Sequence, residues 1–280
     1  MKLKKKIKKL RIIRPFNCFM SAFAVSIGYL IAGGGFYSLS KLVLADLTTF
    51  LVTGAGNTIN DYFDREIDKI NSPYRPIPSG EISPKSAYLF SILLFSIGII
   101  LSAAINYICL LIVVINSFLL YLYASKFKSI PFFGNLAVGV IVGSTFLFGG
   151  ASIGKIRTNL ILFGLALLAT LGREIAKDIE DIKGDQGSVN TIATEYGIEN
   201  AAKLSIFFTI LAISLSPLPY LLGIFGIYFL ITVAIADLIF LYSSTNLLTS
   251  INIEGAKKYQ KLSKIAMFFA LIAFIVGSLS

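Results

Sequence analysis

The sequence predicts an all-α integral membrane protein, a bundle of nine transmembrane helices forming one domain over residues 1–280. Composition, segment length and charge placement predict it. Of the 280 residues, 56% are hydrophobic and 14% are charged, against about a quarter charged in soluble domains. Mean hydropathy is +0.81. Apolar segments recur along the chain at about the 20-residue length that crosses a bilayer. Lys and Arg gather on alternate connections, as in a multi-pass protein.

Taken in order, residues 1–14 are basic and an apolar run begins at Phe16. This resembles the start of a secretory signal. However, the run continues beyond the roughly 7–15 residues of a signal's apolar region. It is read as a retained first span with a cytoplasmic basic anchor. Spans are expected at 16–36, 42–63, 86–104, 107–124, 132–152, 157–176, 204–222, 224–243 and 262–279. Pro217 and Pro219 interrupt the seventh, and Gly223 and Gly226 offer the turn to the eighth.

With the N-terminus in the cytoplasm, the inner connections hold most of the basic residues. There are eight in 1–14, four in 63–86, two in 125–131, four in 172–203 and four in 247–264. Only Lys41, Lys155 and Arg157 fall outside. The positive-inside rule favours this orientation, which puts the C-terminus outside. Two inner connections, after the second and sixth spans, are long and polar, and such connections tend to carry function.

The net charge of +10 fits topology and anionic lipid headgroups better than nucleic acid. The absence of histidine excludes imidazole metal sites and bases. Cys18 and Cys109 lie within apolar runs and indicate no disulfide framework.

Two acidic clusters carry the chemistry. Asp61, Asp64 and Asp68 fall at i, i+3 and i+7, and so do Asp178, Asp181 and Asp185. That spacing puts each set on one helix face. Asn57 and Glu174 extend the two faces by one turn. The offset of 117 residues suggests a pseudo-repeat of four-helix units, each with its acidic motif at the end of its second helix, and with the ninth helix extra. Carboxylates this close repel unless cations neutralise them. Mg²⁺ takes oxygen ligands from one or two carboxylates plus phosphates. Opposed clusters can therefore grip a metal-bound diphosphate. A solvated helix end explains one such motif, but not two with identical spacing at equivalent bundle positions and at membrane depth. Lys69, Arg75, Lys126, Arg173, Lys177 and Lys183 lie among the acids, with Arg14 and Asn17 where the first span begins. They are candidates for phosphate oxygens.

These residues carry a resemblance. Asn60-Asp61-x-x-Asp64-x-x-x-Asp68 and the second cluster through Asp181-x-x-x-Asp185 resemble the two signatures of the UbiA prenyltransferase superfamily. The run from Asp68 through Arg75-Pro76-Ile77-Pro78 to Gly80 is similar to its following segment. Tyr121-Leu-Tyr123-Ala-Ser-Lys126 is similar to its fourth-helix element. The resemblance runs from Arg14 to about Gly197, and beyond that only hydropathy matches. Arg14-Pro15-Phe16-Asn17, Phe146-Leu147-Phe148-Gly149-Gly150 and Arg173 to Asp181 are most similar to the archaeal digeranylgeranylglyceryl phosphate synthases.

The resemblance implies a central cavity open to lipid and capped by the two polar loops. It also implies Mg²⁺, geranylgeranyl diphosphate as donor and geranylgeranylglyceryl phosphate as acceptor. Under it, Asn60, Asp64 and Asp68, helped by Asp61, hold one Mg²⁺, and Asp178, Asp181 and Asp185 hold another. Arg14, Asn17, Asn57, Asn60, Lys69, Arg75, Tyr123, Lys126, Arg173 and Lys177 would bind substrate. Phe63, Tyr123, Phe127 and Phe146 are candidates to face the allylic cation, although ordinary packing also accounts for them. An aromatic acceptor is the alternative within the superfamily. A divalent-cation transporter is the alternative of another class, against which stands the crowding of acids on one side. Gly139-x-x-x-Gly143 and Gly150-x-x-x-Gly154 are read as helix packing. Asp237, within the eighth span, has no assigned role.

Overall fold

The computed structural model describes residues 10–185 and 189–279. Most of the basic anchor at 1–14 therefore lies outside the described residues. Among the described residues the long elements are nine helices. These are α1 (Pro15–Ile31), α2 (Leu39–Phe63), α3 (Pro84–Ala103), α4 (Tyr107–Ser125), α5 (Phe133–Ser152), α6 (Arg157–Asp185), α7 (Ile192–Leu215), α8 (Ile227–Thr249) and α9 (Ile253–Leu279). Short helices at Arg65–Asn71 and Leu218–Leu221 and a 3₁₀ turn at Leu10–Ile13 complete the chain. The eight helices after α1 belong to stretches long and apolar enough to cross a membrane, and α1 is a shorter apolar helix of 17 residues. At about 1.5 Å per residue it still approaches the thickness of the hydrocarbon core. The chain is a multi-pass membrane protein.

Local chemistry sets most boundaries. Pro15 and Pro84 sit in the first turns of α1 and α3, where a missing N–H costs nothing. Ser83, Asn106 and Thr191 cap α3, α4 and α7 through their side chains. The first span ends at Ile31 rather than at 36, because Gly33-Gly34-Gly35 follows and Gly33 turns the chain at φ +80°. The break between α7 and α8 falls at Pro217, Pro219 and Gly223 as expected.

The second long polar loop is the main correction. Residues 172–203 are largely helical, since α6 runs on to Asp185 and α7 begins at Ile192. Ile175, Ala176, Ile179 and Ile182 explain the extension. They recur at helical spacing and are buried, so a polar-looking stretch keeps an apolar seam. In the same way α9 begins at Ile253 rather than 262, with Ala256 and Tyr259 buried.

Two apolar clusters organise the halves. One joins α2, α3 and α4 with the Leu10–Ile13 turn, and the other joins α6, α7 and the start of α9. A third links α1, α5, α6, α8 and α9. Helix α1 packs on α2, α5 and α9, and α5 packs on α6 and α4, which closes the bundle. Gly143 permits close approach of α5 to α6, since a Cβ there would stand 2.7 Å from the Phe163 carbonyl oxygen. Packing within the chain thus accounts for the first glycine motif. Gly154 of the second lies in a turn, at φ +76° with open space around it. Asn159, fully buried, donates to the carbonyls of Gly28 (2.9 Å) and Phe146 (2.7 Å) and pins α1, α5 and α6 together.

Candidate active site

The bundle encloses a cavity of about 1360 Å³. Its polar end is lined by residues of both acidic clusters, including Asp64, Asp68, Asp178 and Asp181. Its interior is lined by apolar side chains such as Leu120, Val142, Phe146, Leu165, Leu271 and Phe274. One space therefore has a charged mouth and a hydrocarbon-like body.

In the first cluster every aspartate faces a cation from elsewhere in the chain. Asp61 accepts from Arg14 at 2.6 Å and sits 3.4 Å from Arg75. Asp68 accepts from Arg75 at 2.6 Å. Asp64 accepts from Lys128 at 2.7 Å and from Asn60 at 2.8 Å. The three carboxylates are 2–7% exposed, and buried carboxylates need such partners. Burial acts to lower the Arg75 pKa, but the hydrogen bond to Asp68 and the charges of Asp61, Asp68 and Asp64 outweigh it, and the net shift is upward. Arg14 holds a left-handed backbone, φ +51°, between the 3₁₀ turn and α1. A non-glycine residue there costs about 1–3 kcal/mol, a cost the ion pair to Asp61 helps offset.

The second cluster is more open. Asp178 accepts from Asn135 at 3.0 Å. Asp181 is exposed, lines the cavity and has no ion pair among the described residues. Glu174 is buried and paired with Arg173, with Lys177 at 4.0 Å. Asp185 ends α6, and its side chain lies outside the described residues.

The expected substrate residues separate into two groups. Arg14, Asn17, Asn57, Asn60, Arg75, Tyr123, Arg173 and Lys177 line the cavity. Asn57 also donates to the Ile13 carbonyl at 2.9 Å and so fixes the segment that carries Arg14. Lys69 and Lys126 do not line it. Lys69 is exposed and pairs with Glu66 at 2.6 Å. Lys126 is exposed where α4 ends, and the chain turns there to present Lys128 instead. Asp61 stands behind Arg14 and Arg75, which line the cavity while it does not. Of the aromatic candidates, Tyr123 and Phe146 line the cavity, whereas Phe63 packs edge-on against Tyr62 and Tyr121.

Sequence reasoning missed Lys128, Asn135 and Glu180, all of which line the cavity. Lys128 lay in a connection already marked as basic. Nothing local distinguished Asn135. Among the described residues no three acids converge on one point. The donors around the mouth are nonetheless all oxygens, from Asn60, Asp64, Asp68, Asp178, Glu180 and Asp181. This set suits a hard cation such as Mg²⁺.

Comparison with known proteins bears on the whole arrangement. Relatives named digeranylgeranylglyceryl phosphate synthase include one from Methanococcus aeolicus, 46% identical over 96% of this chain and 97% of its own. Another, from Methanosarcina mazei, is 45% identical over the same shares. A solved structure of a digeranylgeranylglyceryl phosphate synthase is 43% identical, covers 99% of both chains and superposes with a TM-score of 0.88. A UbiA homologue from Archaeoglobus fulgidus bound to GPP and Mg²⁺ shares the fold at 20% identity, with a TM-score of 0.73 over 96% of this chain and all of its own. The profile described as the UbiA prenyltransferase family matches residues 21–272, which contain both acidic clusters and all of the bundle but the start of α1 and the end of α9, and this chain belongs to that family.

Proposed function

We propose that this protein is a Mg²⁺-dependent membrane prenyltransferase. It moves the geranylgeranyl group of geranylgeranyl diphosphate to the free glycerol hydroxyl of geranylgeranylglyceryl phosphate and releases diphosphate. The observation that carries this reading is the single cavity joining two acidic clusters to an apolar interior. A donor with a diphosphate head and an isoprenoid tail matches both parts. The near-full-length synthases at 45–46% identity support the acceptor assignment.

Bound Mg²⁺ would supply positive charge against the leaving diphosphate. Asn60, Asp64 and Asp68 would hold it on one side, and Asp178, Asp181 and Asp185 on the other. Arg75, Lys128, Arg173 and Lys177 clamp the remaining phosphate oxygens, Arg in bidentate fashion and Lys as a point charge. Asp61 positions Arg14 and Arg75 from behind. The allylic C1–O bond breaks, with its electron pair leaving on the diphosphate, and the acceptor oxygen forms the new bond to C1 as its proton passes to a carboxylate of the acidic clusters or to the departing diphosphate. The apolar walls exclude water from the electron-poor carbon, and Tyr123 and Phe146 offer it aromatic faces. The basic asymmetry of the connections supports a cytoplasmic N-terminus and a mouth on the cytoplasmic side of the cell membrane.

The test is an acceptor panel on purified protein with geranylgeranyl diphosphate and Mg²⁺, read by mass spectrometry. Ether formation on geranylgeranylglyceryl phosphate is expected. Product only on a hydroxybenzoate or naphthoate would overturn the acceptor assignment. Asp64→Ala and Asp181→Ala are each expected to abolish turnover with the fold intact, and wild-type rates in either would sink the two-cluster arrangement.

A further inference from the structure

Helix α9 presents a two-part stripe to its surroundings. Lys257, Lys261 and Lys264 follow one another at i, i+4 and i+7, and all three are exposed. Phe268 and Leu271 continue the same face at i+11 and i+14. The stripe is therefore basic along its first half and apolar along its second. On the opposite face Ala256, Tyr259, Ser263 and Ala266 are buried in the bundle.

The basic half stands level with the acidic mouth, because Lys264 lines a small side chamber of about 290 Å³ together with Arg173 and Asp181 of α6. Farther along α9, Ile265 and Phe268 are 40% and 56% exposed. Apolar side chains exposed on a spanning helix meet lipid tails. Lys261 and Phe268 are separated by about 10 Å of helix rise. That distance carries the stripe from the headgroup layer into the hydrocarbon.

The charge on this face is unspent. Around the mouth Arg14, Arg75 and Lys128 are taken up by the first cluster, and Arg173 by Glu174. Lys257, Lys258 and Lys261 have no ion pair among the described residues. Lys258 donates to the neutral Asn246 at 2.6 Å. Glu254 is the acid on this stretch, so three lysines against one glutamate leave two net positive charges. Lys264 shares its chamber with Glu180 and Asp181, so the surplus rests on the lysines before it. A water-soluble polyanion would match these lysines alone. The apolar continuation fits a lipid.

We infer that this face of α9 is a docking surface for an anionic phospholipid of the membrane. The lipid's phosphate sits on Lys257 and Lys261, and one tail lies along Ile265 and Phe268. Lys264, Phe268 and Leu271 also line the main cavity, so the docked lipid stands at its edge.

The test is native mass spectrometry of the purified protein in detergent, with phosphatidylglycerol and phosphatidylcholine of identical tails as probes. Phosphatidylglycerol is expected to bind in preference to phosphatidylcholine. Lys257→Gln combined with Lys261→Gln should lower that preference by about thirtyfold, the product of the two lysines' attractions for an anionic headgroup. Lys69→Gln combined with Lys85→Gln removes two exposed charges elsewhere and should leave it unchanged. No loss in the α9 variant, or an equal loss in both variants, would overturn the surface. The wild-type preference should also fall as salt rises, and a preference indifferent to salt would count against it. Displacement of phosphatidylglycerol by an equal concentration of a single-tailed phosphate lipid would assign the stripe to substrate passage and overturn the phospholipid assignment.

Discussion

The two acidic clusters share one spacing and one cavity mouth and differ in burial and in partners. In the first, three buried aspartates are held by Arg14, Arg75 and Lys128, which reach them from three separate segments. In the second, Glu174 pairs with neighbours on its own helix and Asp181 faces open space. The first is a prearranged wall whose geometry depends on the bundle being assembled. The second is an adaptable face on one long helix, beside a chamber lined by α9. Identical i, i+3, i+7 patterns thus serve different tasks, because burial and partners decide how a carboxylate behaves.

The sharpest break of this comparison is charge removal on each face. Asp68→Asn leaves Arg75 with Asp61 alone and removes a proposed metal oxygen, so turnover should fall by about three orders of magnitude or more, which steady-state assay would check. Asp178→Asn should cost less, about a hundredfold, because Asn135 can still hydrogen-bond the new amide. If the two lose activity equally, the clusters are functionally equivalent and the contrast fails.

Next in size is Lys128→Ala against Lys126→Ala. Losing the charged contact at Asp64 should lower kcat/KM by about ten- to a hundredfold. The exposed Lys126 should change it by less than about twofold. The reverse order would return the role to Lys126. Third, Asn159→Ala leaves the Gly28 and Phe146 carbonyls without their buried donor, so about 2 kcal/mol of stability should be lost. A thermal-shift series in detergent would read this as a lowered Tm, with residual activity at low temperature. The smallest effect is expected for Lys69→Ala, whose exposed pair with Glu66 contributes little. Its activity and Tm should both stay near wild type.

Much of this was legible along the chain. Nine apolar segments gave the bundle, and the basic asymmetry gave an orientation to test. The aspartate spacing alone marked both clusters. The signal weakened where polarity and helicity coexist. The sixth span was expected to end at 176, although the aspartate spacing already placed 178–185 on a helix face, because the charges beyond it masked the buried seam that continues through Ile179 and Ile182. Tyr123-Ala-Ser-Lys126 pointed to this connection and to Lys126, whereas Lys128, in the 3₁₀ turn at Phe127–Ser129, is the lysine that lines the cavity.

What the sequence by itself determined are properties written in short-range periodicity and composition: span length, helix class, the acid faces and the glycine turns. These follow from 1.5 Å rise, hydrophobic transfer and backbone sterics, which act within a few residues. Only the tertiary structure decided which cation or amide meets which acid. Arg14 with Asp61, Lys128 with Asp64 and Asn135 with Asp178 are 47, 64 and 43 residues apart. Nothing in local pattern encodes such pairings. They arise because a low-dielectric interior forces buried charges and amides to find partners among whatever segments the packed helices bring within reach.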